Sequence, residues 1–506
     1  MKNKALLLLI LGCLITPSFA EDGLRTMFLN NSAVICGINI RSFNAEDSDG
    51  NGMVEENEQR GNFINAIKRL DEIKALGVNT LHVLPVTPVG KLKALGTAGS
   101  LYAISSFDEI NEQLADKTSK LSPEEQLRLF IEECHNRGIK VIIDLPSCGS
   151  YDLFLKKPEL FIKDDKHLSV VPTDWTDVRL LNTGNNQKLN QDLINIHKKF
   201  VDMIIEAGAD GIRADVATIK PSNFWKEIIT YTRTKNPEFL FLAEASDSWR
   251  EPPSQYAEFT PYDKLLEAGF DGYYGSFFNL KEWNKSEKLI EHIKFNKKLL
   301  GSYDEGKSAI LSFTTHDELS PILINGKKFS KMICWLEATL PFNPYIIDGF
   351  QTGDEYIYPV ANTKASATET DDDYYFVHRG KLDIFNFSRK PGGKYKEIET
   401  EYKKAMEFRK KHIELISTGD FIPLKTNNEK VFAFARCYAG QTVITAGNLD
   451  YENLYRKVTI KICGLNKRHK ISEVKGNIYY KIRKGKIYID LPPGEVIVLH
   501  AEKFSI

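Results

Sequence analysis

Ala209-Asp-Gly-Ile-Arg-Ala-Asp-Val216 is a short apolar run that ends on charge. The segment before it, Gln191 to Gly208, carries apolar residues near 3.6 spacing (Leu193, Ile196, Phe200, Met203, Ile204), which predicts a helix. The segment after it, Lys220-Pro221-Ser222-Asn223-Phe224-Trp225, reads as a helix start with Pro in the first turn. Helix, strand, helix is the unit of a parallel sheet covered by helices. A parallel strand ending in Arg213 and Asp215 brings both to its C-terminal mouth, where barrel enzymes keep their chemistry.

Taken alone, Arg213 and Asp215 read equally well as a buried ion pair that stabilises the strand end. Two further strand ends change the balance. Phe239-Leu-Phe-Leu-Ala-Glu244 is a β-run ending on Glu, and Ala309-Ile-Leu-Ser-Phe-Thr-Thr-His316-Asp317 is one ending on His and Asp. Three carboxylates at three strand ends, with an Arg and a His beside them, are more than packing requires. The three segments resemble the second, third and fourth sequence regions of the α-amylase family of glycoside hydrolases. The matches are Gly211-Ile212-Arg213-Ala214-Asp215, Glu244 and His316-Asp317. Their order and spacing fit, and the resemblance covers nearly the whole chain after its leader.

The resemblance implies a (β/α)8 barrel over residues 21–418, with a short inserted domain at about 146–182 after the third strand. It also implies α-1,4-linked glucans as substrates: starch, glycogen or maltooligosaccharides. Asp215 would be the nucleophile, Glu244 the acid/base and Asp317 the third carboxylate. Arg213, two residues before Asp215, shares its face of the strand and would keep it ionised. Glu244 must hold a proton near neutral pH, so a raised pKa is expected. His316 would bind sugar hydroxyls with Asp317. Asp144 matches the Asp of the family's first region, and Tyr102 matches a Tyr of more structural character; the aromatic that stacks on the sugar is unassigned. Two departures stand out. The Asn-His expected after Asp144 is Cys148-Gly149, and a Lys-His pair that grips acceptor sugars in some relatives is Thr218-Ile219. They keep a glucan transferase open as the alternative to a hydrolase, since outer contacts set the choice between water and sugar. A catalytically silent carbohydrate-binding relative is a third reading, opposed by the three carboxylates.

Asp47-Ser-Asp49-Gly-Asn51-Gly52-Met53-Val-Glu55-Glu-Asn-Glu58 matches the twelve-position Ca²⁺ loop, with oxygen donors at positions 1, 3 and 5, Gly at 6 and Glu at 12. The family resemblance points to a calcium loop at the same place. Both readings share Asp47, Asp49, Asn51 and the Met53 carbonyl, and differ on whether Glu55 or Glu58 closes the shell.

The remaining sequence sets the context. A net charge of −1 over 506 residues gives no electrostatic footprint for nucleic acid. Residues 1–20 read as a signal peptide, with Lys2 and Lys4, an apolar core from Ala5 to Ile15 and a Ser18-Phe-Ala20 cleavage site, so a secreted or periplasmic protein is expected. Ile10-Leu-Gly-Cys13 loosely resembles a lipoprotein box and offers anchoring through Cys13 as the alternative. No later segment predicts a membrane span. The seven cysteines are scattered, which permits disulfides without implying them. The long connection 150–182 is expected to wall the cleft, with Trp175 either stacking on sugar or packing the insert. From about Gly419 to residue 506, short β-runs separated by turns predict an antiparallel sandwich. The protein is expected to act as a monomer.

Overall fold

The computed structural model describes residues 22–46, 48–49, 57–94, 99–172, 175–246, 251–252, 254–274, 285–304, 306–317, 320–355, 390–466, 468–476, 480 and 482–506. In chain order its first ten strands are β1 (Ile35–Ile38), β2 (Thr80–Val83), β3 (Lys140–Leu145), β4 (Cys148–Ser150), β5 (Val178–Leu180), β6 (Gly211–Ala214), β7 (Leu240–Glu244), β8 (Gly272–Tyr274), β9 (Ser308–Ile310) and β10 (Tyr345–Ile347). Eight of these form one parallel sheet in the order β10-β1-β2-β3-β6-β7-β8-β9. A parallel bridge between Ile310 and Asn343 joins its two edges, and the barrel closes.

The strands are buried on both faces, which is why they read as nearly continuous apolar runs. Their two-residue period sorts the side chains. On β7, Phe241 and Ala243 face the surrounding helices, while Leu240 and Leu242 join Ile35, Ile142, Tyr274, Ile310 and Tyr345 in a cluster inside the barrel. Leu24 and Phe28 complete that cluster from the short helix Leu24–Leu29, which stoppers the N-terminal end of the barrel. The same alternation turns His82, Asp144, Arg213 and Glu244 inward, one layer nearer the C-terminal mouth.

Gly37 is fixed by close approach. A Cβ there would stand 2.2 Å from Tyr345 Oη, the hydroxyl that pairs with His82 Nδ1 at 3.0 Å. Gly37→Ala is therefore expected to cost about 1–3 kcal/mol by overpacking, measured as a lowered urea midpoint at unchanged slope. An unchanged midpoint would show that the Tyr345 ring has room to move.

The insert after β3 builds its own antiparallel pair, β4 with β5, around the helix Tyr151–Lys156. Cys148, Val170, Val178 and Leu180 pack there against Val216 and Ile219 of the barrel, with Trp175 half-buried on the same cluster. Packing the insert is thus the role Trp175 fills. Cys148, at the position of the expected Asn, lies in this core rather than in a cleft. The last helices, Lys396–Lys411 and Ile413–Thr418, meet at a break at His412.

Beyond them lie β11 (Asp420–Pro423), β12 (Lys425–Thr426), β13 (Val431–Tyr438), β14 (Gln441–Asn448), β15 (Tyr455–Lys461), β16 (Ser472–Glu473), β17 (Ile482–Arg483), β18 (Lys486–Leu491) and β19 (Val496–Ala501). They form two antiparallel sheets, β11-β13-β14-β19-β16 and β12-β15-β18-β17, which share a separate core.

One expected helix is remodelled. Phe63 to Leu76 has a helical apolar stripe, but the chain tightens to a 3₁₀ turn at Ile67–Arg69 between two short helices. Arg69 lies on the inner side and is buried. Its guanidinium bonds Asp348 at 2.6 and 3.1 Å and sits 4.3 Å from the Phe43 ring centre.

Candidate active site

Asp144 and Arg213 stand opposite each other in the β3–β6 register. Arg213 Nη1 donates to Asp144 Oδ1 at 2.8 Å and Oδ2 at 2.9 Å, and to Asp215 Oδ1 at 3.0 Å. Its Nη2 lies 2.8 Å from Glu244 Oε2. One guanidinium therefore serves three carboxylates. The Arg213 and Asp144 side chains are both 0% exposed, whereas Asp215 and Glu244 are each 13% exposed and Asp317 is 51% exposed. The three carboxylates named from the strand ends are those that solvent reaches. Arg213 and Asp144 lie beneath them as buried support, out of a substrate's reach.

Asp144 is held from three sides. His82 Nε2 lies 3.1 Å from its Oδ2, and Tyr102 Oη donates to the same oxygen at 2.9 Å. Tyr102 Oη also lies 2.8 Å from His316 Nε2, and the two rings stack at 5.6 Å and 8°. His316 reaches Asp317 Oδ2 at 3.2 Å, and the Asp317 amide bonds Thr315 Oγ1 at 3.0 Å. Tyr102 thus ties β3's carboxylate to the His-Asp pair after β9, the structural role its sequence match implied.

Glu244 Oε2 also accepts the Val216 amide at 2.8 Å. Val216 adopts φ 34° and ψ 54°, a left-handed conformation that costs a β-branched residue on the order of 1–3 kcal/mol. The strained residue after Asp215 is the one that turns its N–H onto Glu244. On the other side, the Ser147 amide donates to Asp215 Oδ2 at 3.2 Å.

The charges follow from this packing. Burial pushes Asp144 up, but Arg213 and His82 outweigh it and hold the carboxyl well below its usual range. For Glu244, burial is also the largest effect; Arg213 opposes it, Asp215 and Asp317 add to it, and the group is pushed up to about 8. Asp215 is raised to about 6, because burial and Asp144 outweigh the pull of Arg213. Arg213 does favour the ionised form, as expected, but it does not offset the burial. Of the pair, Glu244 is held the higher and so keeps its proton to higher pH. Neighbouring carboxyls pushed to different pKa values are what a nucleophile and an acid require.

Sequence reading misses His82, Ser147, Tyr274 and Tyr345. Tyr274 places its ring 5.5 Å from the Arg213 guanidinium. Thr218 and Ile219 are buried, so those positions present no grip for an acceptor sugar. Of the calcium-loop residues, Asp47, Asn51, Met53 and Glu55 lie outside the described residues. Asp49 and Glu58 are described, and Glu58 Oε1 accepts from the Ser48 amide at 2.5 Å and its hydroxyl at 2.7 Å. Cys36, Cys134, Cys148, Cys334 and Cys437 are buried free thiols, and Cys463 is an exposed one. No helix among the described residues is long and apolar enough to cross a membrane.

No family profile matches the chain. Sequence relatives do. An α-1,4-glucan:maltose-1-phosphate maltosyltransferase of Arcanobacterium haemolyticum is 23% identical over 392 residues, covering 74% of this chain and 52% of the relative. α-Amylase 2 of Dictyoglomus thermophilum is 24% identical over 386 residues, covering 72% of this chain and 60% of the relative. The chain thus spans only about half to three-fifths of these relatives' length. Among solved structures, an α-amylase from Lactobacillus plantarum superposes with a TM-score of 0.69 at 19% identity, over 94% of this chain and 99% of that one. The fold is thus that of the α-amylase structure it superposes on, and over most of its length the chain is similar in sequence to proteins named as α-amylases and α-1,4-glucan maltosyltransferases.

Proposed function

We propose that the chain is a retaining glycosidase acting on α-1,4-linked glucans, with Asp215 as nucleophile and Glu244 as acid/base. The observation that carries this reading is the Asp215–Glu244 pair. The two carboxyls bond one guanidinium, Asp215 Oδ1 at 3.0 Å from Nη1 and Glu244 Oε2 at 2.8 Å from Nη2, an adjacent pairing that supports the ~5–5.5 Å arrangement of a retaining mechanism. In the first step the Asp215 carboxylate attacks the anomeric carbon. The glycosidic C–O bond breaks, and the Glu244 proton passes to the leaving oxygen. In the second step Glu244 takes a proton from water, which displaces Asp215 from the glycosyl-enzyme. Asp317, at the open edge of the cluster, binds sugar hydroxyls and favours the cation-like transition state, with the buried His316 beside it holding its carboxylate.

The same machinery with a sugar in place of water is a transferase. The buried Thr218 and Ile219 and the Cys148-Gly149 replacement support that second reading, as does the maltosyltransferase among the relatives. Product analysis with maltoheptaose separates them. Shorter sugars alone are the hydrolase outcome, and longer products as well mark a transferase. No change with any α-glucan would overturn both.

The kcat/KM profile of the free enzyme is expected to be bell-shaped. Its acid limb, near 6, is protonation of Asp215, which removes the nucleophile. Its alkaline limb, near 8, is loss of the Glu244 proton, which removes the acid. Activity on maltotriose measured from pH 4 to pH 10 checks both, and a flat profile would contradict the assignment.

We further propose that the loop 47–58 binds Ca²⁺. The donor set is all oxygen, and the Glu58–Ser48 bonds draw its two ends together, which suits a hard cation. Calcium at 100-fold its Kd would then stabilise the fold by about 2.7 kcal/mol. The check is the thermal midpoint with Ca²⁺ and with chelator. Asp49→Ala should remove the difference, and identical midpoints in the parent protein would exclude the site. Residues 1–20 support export as a secreted or periplasmic protein, tested by mass analysis of the mature N-terminus.

A further inference from the structure

Lys220 has no place in the chemistry above, yet it is buried to 1% exposure beside it. It follows the 3₁₀ turn Ala217–Ile219 after β6. Thr260 anchors this stretch, its amide donating to Thr218 O and its hydroxyl to Lys220 O, each at 2.8 Å. The ammonium donates to the Ser147 carbonyl at 2.6 Å. Ser147 is also the residue that holds Asp215, through its amide on Oδ2 at 3.2 Å and its hydroxyl on the Asp215 carbonyl. A buried ammonium whose partner is a neutral carbonyl is costly. A Met would fill the same volume without that cost. Packing therefore gives no reason for a charge here, and the neighbouring nucleophile does. Arg213 is divided among Asp144, Asp215 and Glu244, which leaves Asp215 short of positive charge.

We propose that Lys220 is a positioning residue for Asp215, fixing Ser147 against the nucleophile and supplying a second positive charge that favours the ionised carboxylate. The inference rests on the reading of Asp215 as nucleophile. The groups facing the ammonium are Cys148 from β4, Asp215 after β6 and His197 from the helix Gln191–Glu206. Burial lowers His197 to about 3, so it is neutral. Burial raises the Cys148 thiol to about 12, so it too is neutral. Lys220 is lowered by burial to about 8, with Cys148 and Asp215 opposing, and stays charged across the acid half of the working range. Asp215 is then the only ionised group of the three.

The test compares the parent protein with Lys220→Met, which removes both charge and hydrogen bond, and Lys220→Gln, which keeps a donor for the Ser147 carbonyl. The first readout is the titration of Asp215 in protein labelled with ¹³Cγ-aspartate, its signal identified by loss in Asp215→Asn. The second is the acid limb of kcat/KM on maltotriose. Both variants should move the Asp215 midpoint up by about one unit, and lower kcat at pH 6 about fivefold with KM within twofold. A purely structural bolt would change the thermal midpoint and leave the titration in place. Midpoints within about 0.2 unit of the parent in a folded variant would overturn the proposal; the Gln variant decides if the Met variant does not fold. The titration needs no turnover, so it separates failure of this inference from failure of the glycosidase reading, which inactivity of the parent on every α-glucan would reveal.

Discussion

Asp215→Asn is expected to lower kcat on maltooligosaccharides by on the order of 10⁴-fold or more, with little change in fold. Asn matches the shape of Asp, and its one carbonyl oxygen can still accept from Arg213 Nη1, while the Ser147 amide loses its acceptor; the scaffold around it persists. It cannot form the glycosyl-enzyme, and removal of a covalent nucleophile is among the largest single losses an enzyme shows. Glu244→Gln should lose nearly as much on natural glucans and should differ in a diagnostic way. Its first step needs acid help only when the leaving group is poor. A glucosyl fluoride, whose leaving group needs no proton, should recover glycosylation in Glu244→Gln and not in Asp215→Asn. The alkaline limb of the pH profile should vanish with Glu244. Equal loss on both substrates in both variants would contradict the division of roles.

Arg213→Met should be the most destabilising single change in the site, by about 3–5 kcal/mol at neutral pH. It removes the one cation bonded to Asp144, Asp215 and Glu244 together. The sign of its pH dependence follows. In the parent protein Asp144 is held low, so its pairing stabilises the fold above the ordinary carboxylate pKa and is lost as the pH falls through the folded value. Without Arg213, burial dominates and all three carboxyls are raised. Raised acids stabilise the fold at low pH and lose that contribution as pH rises. The deficit of the variant should therefore be largest near pH 7.5 and shrink toward pH 5. Urea denaturation of both proteins at the two pH values checks this. A deficit that grows on acidification would show that the three carboxyls are not its source.

The legible part of this site is the part that lies on single strands. Arg213 and Asp215, Glu244, and His316 with Asp317 each end one apolar run, and a parallel strand delivers its end to the mouth of a barrel. His82, Tyr274 and Tyr345 obey the same alternation and were open to the same argument, but each sits alone on a short strand beside no second charge. Ser147 and Lys220 carried no such signal. Their contacts join the connection after β3 to the turn after β6, 73 residues apart in sequence, and no periodicity encodes that. The helix Phe63–Lys74 shows the limit of apolar spacing. Arg69, outside the apolar stripe of Ile64, Ile67, Leu70 and Ile73, is nonetheless buried and pairs with Asp348 where the backbone tightens to a 3₁₀ turn. The helix Lys396–Lys411 hides a similar device. Its buried Arg409 donates to the carbonyls of Leu340 at 2.9 Å and of Asn31 and Phe342 at 2.7 Å, docking the helix on loops far away in sequence.

The central claim is that Asp215 becomes covalently bonded to the anomeric carbon. The direct measurement is intact-protein and peptide mass spectrometry of Glu244→Gln incubated with 5-fluoro-α-glucosyl fluoride, in which glycosylation is fast and hydrolysis of the adduct is slow. One fluoroglucosyl unit on the peptide containing Gly211 to Val216, attached at Asp215, is the predicted result. No adduct in a folded protein that binds the reagent, or an adduct on another carboxylate, would contradict the account.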